Sequence, residues 1–179
     1  QGMRPFRQGS PAARCGRGRP RDLLVDAGMN SAPAVKSALV ALMNALWDAP
    51  TLVTYGAPGS YLPDEIAAVM GQRIEVTRPT MGTNRSREET VETDVTFSVF
   101  MPGADEAQRD ATERAYAMAL QLDERLRSAP NEALSGACRD AWTVRGELVE
   151  SRYTSSPGGG SVSGRLAELT VVVVTVARR

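Results

Sequence analysis

Within Glu88 to Met101, the strongest strand pattern of the chain, positions alternate strictly from Thr90 to Val99. Val91, Thr93, Val95, Phe97 and Val99 share one parity, and Thr90, Glu92, Asp94, Thr96 and Ser98 share the other. A period of two with one apolar and one polar side predicts a strand with a single core-facing side. The closing stretch Arg165 to Ala177 behaves differently. Leu169, Val171 and Val173 lie on one parity and Val172, Val174 and Val176 on the other, so both sides are apolar. This predicts a central strand covered on both faces and marks Val172, Val174 and Val176 as a candidate interface strand.

Two segments carry the helical period instead. Val35, Ala38, Leu39, Leu42, Met43 and Leu46 recur at offsets of three and four, after a cap at Asn30 or Ser31 and before a stop at Pro50. Between Ala104 and Arg127, one stripe holds Ala107, Ala111, Ala115, Met118, Ala119, Leu122 and Leu126. Asp105 and Glu106 open this helix and Arg125 and Arg127 close it, as the macrodipole favours. Asp105–Arg109, Asp110–Arg114 and Asp123–Arg127 stand four apart in the favourable order.

The remaining pieces are a short β segment at Thr51–Tyr55, a turn-rich "YGAPGSYLPDE", a loop at 79–87, a linker "SAPNEALSGAC", a β segment at Ala141–Thr154 and a Gly-rich tip, "SSPGGGSVSG". Residues 65–78 are ambiguous: Ile66 to Met70 reads as a helical turn, and Ile74 and Val76 alternate with Arg73, Glu75 and Thr77 as in a half-exposed strand. The order is α–β–β–β–α–β–β. The predicted class is α+β, a small mixed or antiparallel sheet packed by two main helices, with extended loops.

The 179 residues carry 21 basic and 21 acidic side chains, and the balance is uneven along the chain. Residues 1–28 hold six arginines against Asp22 and Asp26, leaving the rest mildly acidic. Rich in Arg, Gly and Pro and without periodicity, 1–28 reads as a disordered extension ahead of a single domain at 29–179. Its "GRGRPR" resembles an AT-hook core, a minor-groove reader. The other reading is that the natural product starts at Met29 and that 1–28 is upstream sequence read in frame. An acidic body argues against nucleic acid as the main partner. No apolar run reaches the roughly 20 residues of a membrane span.

Histidine is absent, which removes the usual general base, metal ligand and nucleophile partner. The only lysine, Lys36, falls on the outer side of the first helix as a solvated residue. Cys15 and Cys138 form no C-x-x-C, so neither a zinc site nor a disulfide framework is indicated. The Gly-x-x-Gly at Gly56–Gly59 lacks the Lys-Ser/Thr of a phosphate loop, and no Gly-x-Ser-x-Gly is present. Glu92 and Asp94 stand two apart on the polar strand face, either as a carboxylate pair for Mg²⁺ or Ca²⁺ or as a solvated surface. Trp47 and Trp142 read as core or interface anchors. No catalytic residue, cofactor or metal site is assigned.

Four stretches carry a resemblance: "VTYGAPGSYLPDEIAAVMG", "TRPTMGTNRSREETVETDVTFSVFMPG", "LSGACRDAWTVRGE" and "LAELTVVVVTVARR". From Met29 onward the chain resembles the tail terminator proteins of long-tailed bacteriophages and prophages, especially the actinobacterial type. The resemblance implies a non-enzymatic virion protein, made in the host cytoplasm, that caps the tail tube as a homo-oligomeric ring, a hexamer. Its implied partners are the tail tube protein and the head–tail connector, with DNA only passing through the ring. It also implies that the loop at 78–87 reaches neighbours, with Arg78, Met81, Asn84, Arg85 and Arg87 contacting subunits or tube. The alternatives are another neck protein, for head–tail connection or head completion, or a DNA-associated protein acting through the Arg-rich N-terminus.

Overall fold

The computed structural model describes residues 31–59, 63–77, 88–155 and 162–178. The N-terminal extension at 1–28 and the loop residues Arg78, Met81, Asn84, Arg85 and Arg87 lie outside the described residues. The elements run α1 (Ala32–Leu46), β1 (Leu52–Tyr55), β2 (Glu65–Thr77), β3 (Glu88–Pro102), α2 (Asp105–Ser128), α3 (Pro130–Ala133), β4 (Asp140–Ser155) and β5 (Val162–Arg178). The class is α+β, and the five strands form one sheet in the order β1-β2-β3-β5-β4. β1 runs parallel to β2 and every other pair is antiparallel, so the sheet is mixed.

Both main helices lie on one side of the sheet. α1 packs on β1 and β2, and α2 on β3, β5 and β4. Their stripes meet the odd-numbered side of β3 and β5 in one core: Leu39, Met43, Met118, Leu122 and Leu126 against Val95, Phe97, Val99, Leu169, Val171 and Val173. All seven residues of the α2 stripe are buried. Trp47 closes one side of this core, its ring edge-on to Phe97 with 5.7 Å between centroids, and its indole N–H donates to Gln121. Each fully buried large side chain here contributes roughly 1.5–3 kcal/mol.

Several expectations change. Residues 65–77 are strand throughout, not a helical turn at Ile66–Met70, because Ile66–Val69 pair with β1 on one side and with Ser98–Val95 on the other. The linker after α2 is packed, not free: it holds α3, and Ala133, Leu134 and Cys138 plug the core. Lys36 is half-buried and partnered, not simply solvated. Its ammonium donates to the Met70 carbonyl at 2.7 Å and lies 4.5 Å from the centre of the Tyr55 ring. The register of β2 slips between Val69 and Gln72, and at that irregularity Lys36 takes the Met70 carbonyl.

Two of the three i,i+4 pairs on α2 are replaced. Arg109 bonds Glu113, and Arg114 grips Glu65 of β2 with two bonds of 2.8 Å, while Asp123–Arg127 forms as expected. Ser31 caps α1 without using its side chain; its backbone N–H donates to the carboxylate of Glu89 at 2.8 Å. Glu89 is buried on the helix-facing side of β3, where a negative charge under a helix N-terminus is favoured.

Candidate assembly interface

The second face of the sheet carries no helix among the described residues. Because opposed residues of an antiparallel pair share a face, the registers assemble it strand by strand. Thr90, Glu92, Asp94, Thr96 and Ser98 come from β3; Leu166, Glu168, Thr170, Val172, Val174 and Val176 from β5; Trp142, Arg145, Glu147 and Val149 from β4; and Arg73 and Glu75 from β2.

The candidate strand residues stand together here. Val172 lies between Asp94 and Arg145, Val174 between Glu92 and Trp142, and Val176 between Thr90 and Asp140. The expectation of a central strand is met, since β5 sits between β3 and β4. Among the described residues, no helix covers its second face. Val172 and Val174 are only 6% and 7% exposed, yet they stand apart from the core cluster, on the side opposite Val171 and Val173, with acidic and aromatic cross-strand neighbours beside them. Trp142 is 36% exposed and Val149 51% on the same face. A hydroxyl pair, Thr96 with Thr170 at 3.0 Å, joins the two central strands.

The carboxylates Glu92 and Asp94 are both on this face, as their spacing requires. Glu92 approaches Arg73 at 3.8 Å. Among the described residues no three His, Cys, Asp or Glu side chains gather as metal ligands.

The margin of the face at β4 is fixed by α2. The β4 register slips between Thr143 and Arg145, and Asp123 of α2 accepts from both the backbone N–H (3.3 Å) and the hydroxyl (2.5 Å) of Thr143. Burial works against ionisation of Asp123, but the Thr143 hydroxyl and the Arg127 guanidinium outweigh it and hold the carboxyl below the usual range. Beside this irregularity a groove of about 310 Å³ opens between α2 and β4, lined by Tyr116, Leu120, Val144, Gly146 and Leu169. A larger depression, about 710 Å³, lies between α1 and the 134–139 segment over Cys138. Burial, with Asp140 nearby, pushes that thiol up to about 11 and leaves it poorly nucleophilic.

The groove and the exposed Ile74 and Val76 are not visible in the sequence pattern. The signal that existed was parity: Ile74 and Val76 alternate with charged residues, which points to a strand with an exposed side but does not say that it borders the sheet. No family model matches the chain, and no curated protein matches it either.

Proposed function

We propose that this chain is a structural component of a long-tailed phage particle, a tail terminator that closes the end of the tail tube as a hexameric ring and offers the joint to the head connector. The sequence resemblance supplies the class. The observation that carries the reading is the helix-free sheet face, where Trp142 and Val149 stay open to solvent over the Val172–Val174 pair. An aromatic anchor beside a nearly dry apolar patch, rimmed by Glu92, Asp94, Arg145 and Glu147, has the make-up of a protein–protein contact. A ring of such subunits needs no reacting group, which agrees with a chain lacking histidine.

The test is electron microscopy and light scattering of the full chain with tubes built from the tail tube protein encoded in the same genome. Rings seated on tube ends are expected, and Trp142→Glu should abolish the seating while leaving the thermal melt in place. A monomer that never engages tubes, or seating indifferent to Trp142→Glu, overturns the reading.

A further inference from the structure

The sheet ends in two unequal open borders. On one side β1 covers only Ile66–Val69 of β2, so no strand pairs the outer side of Gln72–Thr77 among the described residues. On the other, β4 has β5 as its one strand neighbour among the described residues. Unpaired strand borders are templates for another chain. These two are complementary, and we propose that β2 of one copy adds to β4 of the next in antiparallel register, with Ile74 opposite Gly146. The proposal rests on the ring reading and supplies its subunit contact.

Three observations fix the register. The first is charge. With Ile74 against Gly146, Arg73 faces Glu147 and Glu75 faces Arg145, two opposite-sign cross-strand pairs. A slip of two residues one way sets Arg73 against Arg145; a slip the other way sets Glu75 against Glu147. Both slips oppose like charges, and a slip of one turns every side chain to the wrong face.

Shape is the second. Ile74 and Val76 are each 42% exposed on the helix-bearing side of β2, opposite Val91 and Glu89. Gly146 lies on the helix-bearing side of β4, opposite Val171, and lines the groove with Leu120, Tyr116 and Val144. With no side chain at 146, the neighbour's Ile74 enters over Leu169, and Val76 meets Val144 at the irregularity of β4.

Direction is the third. β2 and β4 run opposite ways in the same sheet, so copies set side by side with helices on one common side bring β2 antiparallel to β4. Two different borders in contact form a head-to-tail interface, the kind that closes into a ring when the rotation per copy allows. β1 limits the contact to Gln72–Thr77 against Thr143–Leu148: in this register Ser151–Thr154 of the neighbour's β4 would fall in the lane of β1, so the pairing requires the twist between copies to carry that end of β4 out of the lane.

The test uses the full chain with Cys15→Ser, carrying Ile74→Cys in one preparation and Gly146→Cys in another. A Cβ at 146 meets Leu169 Cδ1 only at 3.4 Å, so the second variant has room to fold. A short bismaleimide should join the two preparations when they are mixed and neither alone, and a double-cysteine chain should give a ladder ending at the closed ring. Arg73→Glu should cut the mixed yield roughly tenfold, and Glu147→Arg in the partner preparation should restore it. Sedimentation of Arg73→Glu, Glu147→Arg and their combination needs no cysteine and decides the matter should Gly146→Cys fail to fold. Cross-linking of either preparation alone, or charge reversal without rescue, overturns the pairing. Rings seen by scattering without the 74–146 cross-link overturn the pairing and leave the ring reading standing; monomers at every concentration overturn both.

Discussion

Replacing Arg114 with methionine removes the guanidinium that holds Glu65 and keeps most of its aliphatic length on α2. The pair joins the helix layer to the start of β2, through bonds of 2.8 Å from Nε to Oε1 and from Nη2 to Oε2, while the Thr51 hydroxyl gives Oε2 a third bond at 2.8 Å. The Glu65 side chain is 17% exposed and that of Arg114 34%. Hydrogen bonds to charged groups are worth about 1.5–3 kcal/mol, and solvent at Arg114 draws the value to the lower part of that range. The expected loss is therefore about 2 kcal/mol, or roughly 4–8 °C in Tm for a domain of this size. The bond from Arg114 holds the Glu65 carboxyl below its usual value, against the opposing effect of burial. A carboxyl with a depressed folded-state pKa contributes stability above its unfolded pKa and loses it as pH falls through the folded value. The gap between parent and variant should accordingly be full at neutral pH and close on acidification below about pH 4. Urea titrations at a series of pH values measure it. A loss under about 0.5 kcal/mol at neutral pH, or a gap that does not narrow at all as the pH is lowered, would refute the assignment of this pair as the link.

Two further outcomes follow from close packing. Gly164 opposes Pro102 in the β3–β5 register, and a Cβ there falls 2.4 Å from the Phe100 ring and 2.6 Å from the Met101 carbonyl oxygen; Gly164→Ala should cost about 1–3 kcal/mol in chemical denaturation, and an unchanged midpoint would contradict the contact. In a Cys15→Ser chain, Cys138, with its thiol pushed up to about 11, should react with iodoacetamide far more slowly than a free thiol at pH 8 and speed up above pH 10, whereas fast labelling of that folded chain at pH 8 would show the site open.

The local patterns carried the elements well. β3 alternates without a break, so its buried side follows from parity alone, and the alanine-rich stripe of α2 is buried residue for residue. Glu89 shows where reading stopped short: it sits on the same parity as Val91 and Val95, and that parity places it inside, yet its partner is the backbone of Ser31, 58 residues away. Arg114 had an acceptable partner at Asp110 and instead took Glu65, a choice made by the docking of α2 on the sheet beside the start of β2 and not by spacing within the helix. The segment at 66–70 is apolar on both parities, and a short run of that kind has no period from which to tell strand from helical turn. The proposed interface lay beyond a one-dimensional reading for the same reason: Arg73 and Glu147 become complementary only once topology has put their strands on opposite borders.

The four residues of β1 matter out of proportion to their number. By occupying part of the outer side of β2, they shorten the stretch that, among the described residues, is open to unrelated chains. At the opposite border, Arg145, Glu147 and Glu150 in close succession and the break in register at Val144 discourage indiscriminate pairing. A molecule with two open borders is thereby guarded against fibrillar aggregation while it waits for a matched neighbour.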